Sequence, residues 1–211
     1  MLEVTEYIKI FIALFAVVDP IGIVPIIAAL IANTPATELR SIEKTVVFTV
    51  TTILLMALFF GENMLLFFGI SINSFQVSGG ILLMLMAISM LQAKISPTVH
   101  TKAEALEGEA KSSIAVVPLS IPLLAGPGAI STVVLYANRG SHINHYLMIS
   151  VVIFAVVIIL WIVLRCAPWL TRHLSQTGIN VFTRLMGLIL SALAVEFIAS
   201  GLKGLFPGLA A

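Results

Sequence analysis

Apolar residues fill this chain in long blocks rather than in the narrow stripes of soluble helices. The blocks run from about Ile8 to Leu30, Thr45 to Phe60, Phe75 to Leu91, Ser113 to Ala137, Tyr146 to Leu164 and Val181 to Leu205. Blocks of this kind match the ~20 apolar residues that a helix needs to cross ~30 Å of hydrocarbon. The pattern predicts an all-α polytopic membrane protein with six transmembrane helices. Gly61-Glu62-Asn63 is expected to end the second block, and Met64 to Ile70 is too short to span, so it is expected at the membrane interface. Polar residues separate the blocks. Asn33-Thr34-Pro35 precedes Glu38, Arg40, Glu43 and Lys44, and the longest polar stretch, Lys94 to Lys111, reads as a linker between two halves. The expected division is repeat one over about 1–93, a cytoplasmic linker over about 94–111, and repeat two over about 112–211, within one membrane domain.

Two blocks are interrupted at their centres. The first contains Asp19-Pro20-Ile21-Gly22-Ile23-Val24-Pro25, which puts a carboxylate near the bilayer midplane, the costliest depth for a charge. Each proline removes a backbone N–H, and such breaks survive in lipid only where protein or a water-filled cavity satisfies the freed groups. The fourth block contains Pro118, Pro122 and Ala125-Gly126-Pro127-Gly128. Helices 1 and 4 are therefore predicted to be broken.

A single offset relates the two halves. Pro20 and Pro127 lie 107 residues apart, as do Ile23 and Ile130, and the same shift places Ile72, Asn73, Phe75, Gly80, Leu83 and Ala87 on Ile179, Asn180, Phe182, Gly187, Leu190 and Ala194. Three spans per half is an odd number, so the second copy enters the membrane from the opposite side. That is the inverted-repeat plan of many secondary transporters.

Charge sets the orientation. With the N-terminus outside, the inward connections carry Arg40, Lys44, Lys94, Lys102, Lys111, Arg165, Arg172 and Arg184, and the outward side keeps Lys9, Arg139 and Lys203. Eight cations against three place both termini outside the cytoplasm. The composition agrees with a membrane protein: 60% of residues are hydrophobic, 10% are charged and the mean hydropathy is +1.14, whereas soluble domains carry about 25% charged residues. A net charge of +1 without a basic run gives no reason to expect nucleic acid. The single Cys166 excludes an internal disulfide, a CxxC redox centre and a cysteine-rich metal site, and reads as a small apolar residue near a helix end. The first block lacks the basic start and small-residue cleavage site of a signal peptide, so it reads as a retained span.

Under this topology the half-helices that begin at Pro20 and Pro127 both start near the midplane. A helix start offers unpaired N–H groups and about half a positive charge. Asp19 stands where an N-cap precedes a first-turn proline and can satisfy those donors. The matching residue is Gly126, followed by Gly128, and there a ligand can approach bare backbone. One break offers a carboxylate to a cation and the other offers N–H groups to an anion, so together they suit a small zwitterion. The candidate substrate-binding residues are Asp19, Pro20, Gly22, Pro25, Gly126, Pro127, Gly128, Ser131 and Thr132, and the candidate coupling residues are Asp19 and Glu196.

Plainer readings accompany each candidate. Asp19 can be a cap and nothing more; Ser131 and Thr132 can bond back to their own helix; Glu196, off-centre toward the outside, can pair with water. Asn73 and Asn180 read as helix caps, Gly79, Gly80 and Gly187 as sites of close helix packing, and Arg184 as a snorkelling side chain. His142 and His145 fall in an outer loop with no partner pattern, and no metal site is expected. No cofactor is expected either, and without a GxxxxGK[ST] loop no nucleotide-driven pump. An intramembrane aspartyl protease needs two facing carboxylates, and a rhomboid-like GxSG nucleophile is absent.

The ordered set DPIGIVP, GGILL, PLSIPLLAGPGAIST and RLMGLIL resembles the MarC family of bacterial and archaeal inner-membrane proteins, within the LysE-like superfamily, over essentially the whole chain. The resemblance implies six spans with both termini outside and, as for some members, transport of small neutral amino acids such as glycine and alanine coupled to a cation gradient, H+ or Na+. It implies a role at Asp19, Pro20, Gly22 and Pro25 and at Gly126, Pro127 and Gly128. The expected partners are the amino-acid substrate and the lipid bilayer. A different reading of the same chain is a membrane protein that transports nothing and modulates a partner, and another is an exporter of some other small solute.

Overall fold

A computed structural model of the chain describes residues 4–22, 24, 36–92, 124–140, 142–173, 176–206 and 208. The elements there are six α-helices: α1 (Val4–Val18), α2 (Ala36–Phe67), α3 (Ile72–Leu91), α4 (Pro127–Ala137), α5 (Ile143–His173) and α6 (Gln176–Leu205). Pro25, the linker 94–111 and the first part of the fourth block, with Pro118 and Pro122, lie outside the described residues.

Among the described residues, four stretches are long and apolar enough to cross a membrane: Arg40–Phe67, Ile72–Leu91, Ile143–Ala167 and Thr177–Leu205. Large apolar side chains such as Phe48, Phe60, Leu66, Val151, Ile158 and Leu188 point away from the protein. Water would penalise that surface, whereas hydrocarbon is a solvent to which it costs nothing. The two shorter helices sit inside. In α4 both Gly128 and Ala129 and the whole run from Ser131 to Ala137 are buried, so this helix has no outward face to speak of. In α1 the buried Tyr7, Ile10, Leu14, Val17 and Val18 recur every three or four residues, the spacing of one inward stripe. Long helices thus wall a core built from short ones.

Helices α3 and α6 make the most extensive pair. A Cβ placed on Gly80 would stand 2.9 Å from the Ala194 carbonyl oxygen and 3.0 Å from the Ile198 nitrogen. On Gly187 it would stand 3.1 Å from the Ala87 oxygen and 3.2 Å from the Leu91 nitrogen, and on Gly201 it would stand 2.8 Å from the Asn73 oxygen. Early residues of α3 thus face late residues of α6, so the pair is antiparallel, with backbone against backbone where glycine permits it. The first two contacts are reciprocal: Gly80, Ala87 and Leu91 shift by 107 onto Gly187, Ala194 and Ile198. Helices α2 and α5 are antiparallel as well, with the Phe59 ring stacked on Tyr146 at one end (6.1 Å between centroids) and Arg165 3.5 Å from Glu43 at the other.

Several sequence expectations change. Gly61-Glu62-Asn63 does not end the second span, because α2 runs through it to Phe67. Gly61 is instead a packing site: a Cβ there would collide with Val134 of α4. Met64 to Phe67 therefore belongs to the same helix rather than to a separate interfacial segment. The end comes at Gly69, in the left-handed region at φ 67, with the Gly69 N–H donating to the Leu66 carbonyl and the Ile70 N–H to that of Leu65 (2.9 Å). Those two bonds make a Schellman cap, which uses glycine to satisfy the last carbonyls of a helix. Asn73 is not a cap either. Ser71 holds that place, its hydroxyl accepting from the Ser74 N–H at 3.1 Å, and the Asn73 amide lies against Gly204 of α6. Asn180 falls within α6, beyond its first turn.

Candidate functional site

Helix α1 stops where the sequence puts Asp19 before Pro20. The Asp19 N–H still donates to the Phe15 carbonyl (2.9 Å), but its own φ is +41, a left-handed conformation that aspartate tolerates better than most residues. Its Oδ1 then accepts from the Gly22 N–H at 3.1 Å. Residues 20–22 form a turn, and Gly22, three residues on, is at the distance that a capping side chain reaches. A Cβ on Gly22 would collide with the Asp19 carboxylate, so glycine leaves that carboxylate its room. Pro20 is buried, and Asp19, Ile21 and Gly22 are half-buried. Among the described residues, one carboxylate oxygen is engaged in this turn.

Helix α4 begins at Pro127 behind the N-cap Gly126, whose backbone is extended (φ −66, ψ 179) and which supplies no side-chain cap. The ladder starts with Ile130 N to Gly126 O (3.1 Å), so the N–H groups of Gly128 and Ala129 stand ahead of it. Gly126 is buried and Pro127 exposed. A Cβ on Gly128 would stand 2.7 Å from the Met86 sulfur, 3.1 Å from Leu83 Cδ2 and 3.4 Å from Val17 Cγ1. Side chains therefore fill the side of Gly128 that the sequence reading leaves bare, and a ligand can come only from the N–H side. The Val17 contact also brings the end of α1 to the start of α4.

Thr132 bonds back, its hydroxyl donating to the Gly128 carbonyl at 2.8 Å. Ser131 is buried against Gly79 of α3, where a Cβ would stand 3.0 Å from Ser131 Cβ, as the small residue at 79 leads one to expect. Glu196 is exposed on α6 and lies within electrostatic reach of Lys9 and Tyr136. Lys9 stands ten residues, or ~15 Å of helix rise, before Asp19, so Glu196 sits toward the other end of α1.

His145, which the sequence places in an outer loop without a partner pattern, lies instead in a helix and has two partners. It is buried in the first turn of α5, with Nε2 2.9 Å from the Tyr136 carbonyl oxygen and Nδ1 3.0 Å from the Tyr7 hydroxyl. A carbonyl only accepts, so Nε2 carries the proton and, in the neutral ring, Nδ1 accepts from Tyr7. The pair of bonds satisfies a last-turn carbonyl of α4 and ties α1, α4 and α5 together at one end. Spacing gives no hint of it, because the partners lie 138 and 9 residues away. Among the described residues no group of three His, Cys, Asp or Glu side chains is placed to hold a metal ion.

These features define an all-helical integral membrane protein in which two proline-marked helix ends meet inside a wall of apolar helices. The chain belongs to the MarC family: the model described as MarC family integral membrane protein matches residues 4–206. It is 44% identical over 203 residues to the UPF0056 membrane protein YhcE of Escherichia coli (strain K12), covering 96% of this chain and 94% of that one. It is 39% identical to the UPF0056 membrane protein YvbG of Bacillus subtilis (strain 168), covering 95% of each, and 38% identical to a UPF0056 membrane protein of Methanocaldococcus jannaschii, covering 95% of this chain and 88% of that one. No solved structure matches the chain.

Proposed function

We propose that this protein is a secondary transporter of small neutral amino acids of the glycine and alanine kind, not an enzyme, built as two inverted three-helix repeats in the cell inner membrane with both termini outside. The ammonium group of the substrate meets Asp19, and its carboxylate meets the N–H groups at the start of α4. The observation that carries this reading is the meeting of two helix ends of opposite capping chemistry, one with its own carboxylate and one with none, across the Val17–Gly128 contact. Positive helix starts attract carboxylates, and a buried carboxylate attracts a cation. The reciprocal contacts of Gly80 and Gly187 support the inverted plan, since a two-fold axis in the membrane plane relates antiparallel copies. Coupling to H+ or Na+ runs through Asp19, with Glu196 the second carboxylate on the path.

Purified protein in liposomes should take up labelled glycine or alanine when a proton or sodium gradient is imposed. Absence of uptake under both gradients would favour a membrane protein that modulates a partner. Orientation is tested separately: a reporter active only outside the cytoplasm should work when fused after Ala211 and stay silent near Glu104, and the reverse result would invert the topology.

A further inference from the structure

A groove of about 400 Å³ opens between α2 and α5, lined by Lys44, Val47, Phe48, Thr51 and Trp161. The size falls in the range of ligand clefts, ~300–1,000 Å³. Its α2 wall follows a single helical stripe, since 44, 47, 48 and 51 share one face. The wall is apolar except at one end. Thr51 spends its hydroxyl on the Val47 carbonyl at 2.7 Å, and among the described residues Lys44 supplies the charged group of the lining. Phe48 is 73% exposed and Trp161 46%, so the groove faces the surrounding solvent, which at an apolar wall of this kind is lipid. The cationic end is reinforced. Arg40 stands one turn before Lys44 on the same stripe, and Arg165 one turn beyond Trp161 on α5, held 3.5 Å from Glu43. Among the described side chains, the cations Arg40, Lys44 and Arg165 thus lie toward this end beside the carboxylate of Glu43.

We infer that this groove binds a single anionic phospholipid, an acyl chain lying along Val47, Phe48 and Trp161 and the headgroup phosphate resting on Lys44, with Arg40 and Arg165 favouring a net negative headgroup over a zwitterionic one. Hydrocarbon fills the apolar wall and charge selects the lipid. The site is separate from the Asp19 turn and does not depend on the transport reading.

Tryptophan quenching by brominated lipids reads this directly, because Trp161 lines the groove and Trp169 lies two turns away on the same helix. The Trp169→Phe protein, reporting from Trp161 alone, is placed in phosphatidylcholine vesicles doped with either dibrominated phosphatidylglycerol or dibrominated phosphatidylcholine at equal fractions in both leaflets. The phosphatidylglycerol should be preferred at Trp161 by about fivefold, the effect of one Lys or Arg near anionic lipid. Adding Lys44→Gln should diminish the preference, since Arg40 and Arg165 remain, and Lys44→Arg should keep it. The Trp161→Phe protein, reporting from Trp169, should show little preference. Equal quenching at Trp161 by the two lipids would overturn the proposal, as would a preference undiminished in Lys44→Gln. The same preference at both tryptophans would mark general attraction to a basic helix end and would also overturn it. The comparison of the two tryptophans needs no change at Lys44, so it decides even if Lys44→Gln proves unstable.

Discussion

Asp19 and Gly126 stand at equivalent positions, 107 residues apart, each directly before a proline. Their backbones would suit the opposite residues. Asp19 has φ +41, where a side chain costs roughly 1–2 kcal/mol and glycine costs nothing. Gly126 is extended, a conformation that any residue adopts and that aspartate or serine would use to cap α4. The backbone therefore explains neither choice. What the residues have in common with the proposed chemistry is their side chains: a carboxylate is kept where it strains the chain, and a side chain is missing where the backbone would admit one. Strain of this sort gathers at functional sites.

The largest expected effect comes from removing the charge at Asp19. Asp19→Asn keeps an oxygen to accept from the Gly22 N–H, so stability in detergent should change little. Initial uptake should fall by at least about tenfold, the loss expected when a charge-assisted hydrogen bond worth ~1.5–3 kcal/mol disappears. A fully active, gradient-responsive variant would make the carboxylate a cap and erase the contrast. Converting the second break into a copy of the first should come next. Gly126→Asp supplies α4 with its own cap, which adds ~1 kcal/mol of stability where the side chain fits, and it fills the place proposed for the substrate carboxylate. The apparent KM for glycine should rise about tenfold, with thermal stability held or increased. An unchanged KM would move the anion site away from α4. A smaller, purely structural effect is expected at Gly22→Ala, where the new Cβ meets the Asp19 carboxylate and forces the turn to adjust. Overpacking of this kind costs ~1–3 kcal/mol, or a few degrees in melting temperature for a chain of this length. No loss of melting temperature would mean that the Asp19 turn is looser than its packing suggests.

Four of the apolar blocks were enough to locate long apolar helices among the described residues, and the prolines were enough to locate the end of α1 before Asp19 and the start of α4 after Gly126. Capping at Asp19 was legible because it is local, three residues from donor to acceptor. Three kinds of feature were not. Glycine looks the same on paper whether it ends a helix or admits a neighbour, so Gly61 was misread as a break and Gly69, the true stop, was passed over. Helix starts are set by whichever hydroxyl or amide reaches the N–H groups, and one residue of register decides it; Ser71 took the place assigned to Asn73. Long-range pairs such as Tyr7 with His145 and Gly128 with Met86 leave no trace in spacing at all. Gly128 is the clearest case, since its bareness suggested open approach and its neighbours close off one side.

The reciprocal glycine contacts between α3 and α6 also bear on movement. A pair of rods touching at one point can scissor about it. Gly80 and Gly187 give this pair two points of backbone contact on either side of the crossing, and a joint pinned twice can neither pivot nor slide without separating. The two helices should therefore travel as one rigid beam, and any motion that opens the Asp19 turn first to one side and then to the other must occur between that beam and the remaining helices. Spin labels on the exposed Leu85 and Ala192, which flank the crossing, would then report one unchanging distance through the proposed transport cycle.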